Sequence, residues 1–151
     1  MSKSIHDVIV QQKFSNVYQK GYMTLMFVSN QVCSFQQNYF KTHNITQTQY
    51  NALRILRGQN PNHCSINLLK ERMIDKMSDV SRLIQRLQKV GLVEHKRSKI
   101  DKRNVQVKIS QKGLDLLAEI DKDMHIFDFP FSELEEGELN QLISLLEKLI
   151  V

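Results

Sequence analysis

Apolar positions recur along this chain at two different periods, and the switch between them divides it. From about Val8 to Lys41, residues Tyr18, Tyr22, Leu25, Met26, Val32 and Tyr39 return at helical spacing with no proline and only Gly21 to interrupt them. The pattern predicts one long helix, with Gly21 as the point where a kink or a start would fall. Thr46 with Gln49 three residues on has the form of a capping box, in which each side chain satisfies the other's backbone N–H. Tyr50, Leu53 and Leu56 follow, and Gly58 and Pro61 are expected to stop this short second helix. Ser65 is placed to cap a third helix that buries Ile66, Leu69 and Met73. A fourth is expected to begin after Ile74 and Asp75 and run to Val90, with Gly91 as its left-handed terminator.

Beyond Gly91 the period falls to two. Leu92 to Lys96 reads as a strand, and Asn104 to Ile109 alternates polar with β-branched apolar residues as a second strand does. Between them Arg97 to Arg103 forms a charged tip. Ser110 is expected to cap the next helix, which carries Leu114, Leu117 and Ile120. Ser132 with Glu135 has the form of a second capping box, opening a last helix with Leu139, Leu142, Ile143, Leu146, Leu149 and Ile150. Their three–four spacing is the seam of a helix that packs on another helix. Two short helices joined by a tight turn and followed by a hairpin make a winged helix-turn-helix. The expected fold is therefore mainly α with a small β-hairpin wing, flanked by long N- and C-terminal helices.

Composition narrows the chemistry. At 151 residues, with 41% hydrophobic and 25% charged residues, the chain suits one folded soluble domain. It holds no apolar run of the roughly 18 residues a membrane helix needs. Cys33 and Cys64 are too few for a disulfide scaffold, and Met1 to Val10 lacks signal-peptide features, so a cytoplasmic location is expected. The net charge of +5 is unevenly spread. Residues 76 to 112 hold 11 Lys+Arg against 3 Asp+Glu, whereas residues 113 to 151 hold 2 against 10. A short block this basic attracts a polyanion through phosphate neutralisation and counterion release; taken alone it also suits a merely solvated surface.

The fourth helix turns that attraction into a candidate reading surface. At about 100° per residue, Leu83, Ile84 and Leu87 fall within about 60° of Val80, while Ser78, Arg82, Gln85 and Lys89 gather on the opposite side. Ser81 and Arg86 flank them. Arginine bonds guanine bidentately, glutamine pairs with adenine, and serine serves either, so these groups fit base edges and phosphates in a major groove. An ordinary amphipathic helix also has a polar outer face, and the basic hairpin that follows is what favours the first reading.

From Gly91 to Gly113 the sequence resembles the MarR family of bacterial transcription regulators. Asp101-x-Arg103 precedes a short alternating strand and then Ser110-x-x-Gly113, where the family has D-x-R, a strand and L-T-x-x-G. Met77 to Leu83 is similar to the family's recognition-helix segment, and Ile45 to Gln49 to its L-T-x-x-Q helix entry. The resemblance covers about residues 45 to 113. It implies that Arg103 reaches the minor groove or its phosphates, with Asp101 orienting Arg103 or the wing backbone, and that Lys96, Arg97, Lys99 and Lys102 add phosphate contacts. The same two motif residues also suit the stabilising of a tight turn. His95 and the run from Arg97 to Ile100 depart from the family's usual residues.

Tight specific binding needs more contacts than one such module makes, so two modules on a palindrome are expected. The seam from Leu139 to Ile150 is the candidate dimerisation surface, and the resemblance implies dimerisation through both terminal helices. Packing of the two ends within one chain is the alternative. The expected organisation is a single domain, 1–151, with a winged-helix lobe at 45–112 and dimerisation regions at 1–44 and 113–151.

The expected function is a sequence-specific transcriptional regulator, a repressor, that binds palindromic operators in double-stranded DNA as a homodimer. Release by a small aromatic effector is implied by the resemblance, with Tyr22, Met26, Phe27, Tyr39 and Phe40 as candidate pocket residues; the same side chains also read as plain core. The alternatives are a thiol-based redox sensor using Cys33 or Cys64, the latter near the positive end of the third helix, and a non-specific DNA-binding or protein-interaction winged helix. No phosphate loop, C-x-x-C pair or metal-ligand spacing is present, so no enzyme, cofactor or metal is expected.

Overall fold

The structure, a computed structural model, describes residues 4–9, 13–97 and 105–150. In chain order the elements are α1 (Ile5–Val8), α2 (Val17–Thr42), α3 (Gln47–Gln59), β1 (Cys64–Ser65), α4 (Ile66–Arg72), α5 (Val80–Lys89), β2 (Val93–Arg97), β3 (Val105–Ile109), α6 (Gln111–Asp121), a 3₁₀ segment (Met124–Phe131) and α7 (Glu136–Glu147). The described residues fall into two compact units, one up to Tyr39 and one from Phe40 onward.

In the first unit, the helix expected from Val8 is in fact two elements. Ser4 caps the four-residue α1, and Asp7 Oδ2 accepts the Ser4 N–H at 3.2 Å. α2 begins at Val17, where Asn16 Oδ1 accepts the Gln19 N–H at 2.9 Å, and it passes through Gly21 without a break. Along α2, Val17, Tyr18, Tyr22, Leu25, Met26 and Val28 are all exposed.

In the second unit, local chemistry places the helix starts. Thr46 caps α3 with the expected box: Thr46 Oγ1 accepts the Gln49 N–H at 3.2 Å, and Gln49 Oε1 accepts the Thr46 N–H at 2.8 Å. Helix α3 continues through Gly58 to Gln59 before the Asn60–Pro61 turn ends it. Ser65 and Ser110 cap α4 and α6 as the sequence predicts. Gly91 has φ +76°, a conformation that would strain a side chain, and so it ends the α5 turn as expected.

The core forms where these helices meet the sheet. Leu53, Leu56, Leu69, Leu87, Val107, Leu117 and Ile120 are fully buried. At one side of this core the Phe40 ring lies 4.4 Å from Tyr50 and 5.5 Å from Phe127. A bidentate pair between Arg57 and Asp121 joins α3 to α6. Ile66, expected in the core, is half-buried, while Leu69 and Met73 of the same helix are buried as expected.

The sheet has three antiparallel strands in the order β1-β3-β2, one more than the hairpin the sequence predicts. Val93 pairs with Ile109 and His95 with Val107, and Cys64 pairs with Val107 from the other side. A two-residue strand has no period to reveal it, because only its distant partner defines it. The hairpin is closed onto α6 by Ser110, whose hydroxyl donates to the Gly91 carbonyl at 2.7 Å and accepts the Gly113 N–H at 3.0 Å. Gly113 packs so closely that an added Cβ would lie 2.4 Å from the Leu92 carbonyl oxygen. The Ser110-x-x-Gly113 motif thus fastens the base of the hairpin to the helix after it.

Helix α7 starts later than expected. Ser132 instead donates its hydroxyl to the Phe129 carbonyl at the end of the 3₁₀ segment, and Glu135 takes the cap, its N–H bonded to Glu138 Oε2 at 3.0 Å. No residue of α7 is buried.

Candidate nucleic-acid interface

Helix α5 buries Val80, Leu83, Ile84 and Leu87 and nothing else. These are the four residues that the angular pattern assigns to one side. Their burial fixes the rotation of the helix about its axis. Ser81, Arg82, Gln85, Arg86 and Lys89 are consequently all exposed, and they offer hydroxyl, guanidinium, amide and ammonium groups along one short helix.

The helix begins at Val80 rather than directly after Asp75, which moves Ser78 off the helical face. Ser78 is half-buried, and its hydroxyl donates to Asp75 Oδ2 at 2.6 Å. Asp75 Oδ1 also accepts the Met77 N–H at 3.0 Å. The Ser78 hydroxyl, and after it the Met77 N–H, hold the Asp75 carboxyl below its ordinary value of 3.8. Side-chain bonds of this kind compete with helical ones and explain the delayed start.

Asp79 caps α5 by accepting the Arg82 N–H at 3.0 Å, and its other oxygen stands 4.0 Å from Arg82 Nε. Asp79 and Asp75 are site residues that the angular pattern alone missed. The signal was present in the residue types, since Asp is favoured both at N-caps and in turns that bond their own backbone. Both groups of the Asp79–Arg82 pair are well exposed, so this weak pair leaves the guanidinium open to a stronger anion.

The wing is described at its base alone. Backbone pairing runs from Val93–Ile109 to Arg97–Val105. Lys99, Asp101, Lys102 and Arg103 lie outside the described residues, and so do the side chains of Lys96 and Arg97. The minor-groove and phosphate contacts expected of the wing fall on those positions.

The seam residues of the last helix divide by exposure. Leu139 and Leu142 are half-buried, and Ile143, Leu146, Leu149 and Ile150 are exposed. Of the residues expected to hold an aromatic effector, Tyr22 and Met26 are exposed on α2, Phe27 and Tyr39 are half-buried there, and Phe40 is a core residue of the second unit. Cys64 is fully buried, and burial pushes its thiol up despite the nearby Arg72. This works against the thiol-based alternative at Cys64, which rested on its place near the positive end of α4. Cys33 is half-buried on α2. Among the described residues no cluster of His, Cys, Asp and Glu suits a metal ion, and no helix is long and apolar enough to cross a membrane.

A helix-turn-helix followed by a sheet hairpin, with the second helix turning its polar side outward, defines a winged-helix regulator. The family model for transcriptional regulator SarA/Rot matches residues 34–120, and the chain belongs to that family. It is similar to the HTH-type transcriptional regulator SarZ of Staphylococcus haemolyticus, 26% identical over 117 residues that cover 76% of this chain and 78% of SarZ. Its fold is that of MarR-type proteins. A MarR transcription factor from Planctomyces limnophilus superposes with a TM-score of 0.70 at 28% identity, covering 89% of this chain and 98% of the other. A mutant MarR from E. coli complexed with operator DNA gives 0.74 at 21% identity, covering 99% and 100%. The relatives are transcriptional regulators rather than enzymes.

Proposed function

We propose that this protein is a sequence-specific repressor that binds palindromic sites in double-stranded DNA as a homodimer. The carrying observation is the outward face of α5, where Arg82, Gln85, Arg86 and Lys89 stand exposed because the opposite stripe is buried. The operator-bound state of the E. coli MarR neighbour supports the reading. The exposed apolar residues of the last helix support the homodimer, since a second copy is the partner always present at equal concentration. The wing residues Lys96, Arg97, Lys99, Lys102 and Arg103 complete the interface by contacting phosphates and the minor groove. Tyr22 and Met26 on α2 are the exposed contacts for a small aromatic compound that releases the DNA.

The test is selection of duplexes from a random pool by the full chain, repeated across salt concentrations. The expected result is enrichment of an inverted repeat whose half-sites lie about 10–10.5 base pairs apart, or a multiple of that. Steep salt dependence with no enriched sequence would replace this reading with non-specific DNA binding. Transcription from a template bearing the selected site, with and without the protein, reads repression directly.

A further inference from the structure

The turn between α4 and α5 carries two apolar side chains that the core does not use. Met73 is buried and anchors the turn, but Ile74 is 82% exposed and Met77 is 92% exposed. Single exposed apolar residues are common and need no explanation on their own. The fixing of this pair and its position set it apart. The Ile74 N–H donates to Asn51 Oδ1 at 3.1 Å, tying the turn to α3. Asp75 takes the Met77 N–H and the Ser78 hydroxyl, and Lys76 Nζ donates to the Glu71 carbonyl. Ile74 and Met77 are therefore presented from a bonded backbone, immediately before the helix end that reads base edges in helix-turn-helix proteins.

The surroundings point to the kind of partner. The core of a protein–protein contact is depleted of charge, whereas Lys76, Arg82 and Arg86 stand exposed close by in sequence. The two carboxylates nearest in sequence are already engaged, Asp75 by the turn and Asp79 by the α5 cap. A cationic surface with exposed apolar residues on a bonded backbone suits duplex DNA, and the major groove offers one apolar group, the 5-methyl of thymine.

We infer that Met77, in the same turn as Ile74, reads a thymine methyl group in the major groove and so sets part of the sequence preference. The inference rests on the DNA-binding reading above and adds a specificity residue to it.

The experiment uses the full chain and a duplex selected by it from a random pool. Thymines in that duplex are replaced one at a time by deoxyuridine, which removes a methyl and keeps every hydrogen-bonding group. The wild-type chain is expected to lose about fourfold in affinity at one thymine of each half-site, the equivalent of one buried methyl. Met77→Ala is expected to bind the thymine and deoxyuridine duplexes equally at that position, and Met77→Leu to restore the difference. Because Met77 is so exposed, the variants should melt at the parent temperature. Wild-type indifference to deoxyuridine at every position overturns the inference while leaving the DNA-binding reading standing, and so does undiminished sensitivity in Met77→Ala. A wild-type chain that enriches no sequence overturns both.

Discussion

Helices α5 and α7 are both amphipathic in sequence, yet they treat their apolar stripes in opposite ways. Helix α5 buries all four of its stripe residues within its own unit. Helix α7 buries none, leaving Ile143 and Leu146 exposed, with Leu149 and Ile150 exposed just beyond its end. The surroundings differ in charge as well, since residues 76–112 are strongly basic and residues 113–151 strongly acidic. An apolar stripe spent on the core leaves the polar face for a ligand, whereas an apolar stripe left in water invites a partner of the same kind. The acidic surroundings of α7 also steer nucleic acid away from it. One helix is thereby suited to a polyanion and the other to a second copy of the chain.

Breaking the α7 side is expected to have the largest effect. Leu146→Asp with Leu149→Asp should convert the proposed dimer to a monomer, read by sedimentation, and lower affinity for a selected palindrome by ~100-fold or more as two linked half-sites become one. Unchanged mass and affinity would remove α7 from the interface. On the α5 side, Leu87→Ala opens a cavity beneath the helix and should cost about 2–5 kcal/mol of stability in chemical denaturation. Its DNA affinity should hold wherever the variant remains folded.

Arg82→Ala leaves that core untouched and should cost about 1–3 kcal/mol of binding while relaxing preference at one half-site position. Parent-like discrimination would mean that α5 does not enter the groove. The smallest effect concerns acid. The Asp75 carboxyl is held below 3.8, so what it adds is present above that value and is lost as pH falls through the lowered folded value. Thermal melts from about pH 6 to about pH 3 should therefore show the parent losing slightly more than Asp75→Asn.

The fold was legible where interactions are short in sequence. Thr46 with Gln49, Ser65 and Ser110 each cap a helix by bonding a group three residues away, and Gly91 ends one through its own backbone freedom. The facing of α5 was legible too, because burial of Val80, Leu83, Ile84 and Leu87 follows from their angular position. The start of that helix was not. The sequence pattern starts it just after Asp75, and the bonds from Met77 and Ser78 to the Asp75 carboxylate delay that start to Val80. At the last helix Glu135 displaced Ser132 as cap, since the 3₁₀ segment claims the Ser132 hydroxyl.

What the chain determined by itself is the set of caps, the helical faces and the placing of charge, all consequences of groups within about one turn of each other. Tertiary structure alone decided that Cys64 and Ser65 become a third strand, by pairing with Val107 and Gln106 some forty residues away. It also decided that Phe40 belongs to the core and that the Cys64 thiol is buried, which pushes its pKa up. These outcomes depend on which surfaces meet once the helices pack, and no local pattern carries that information.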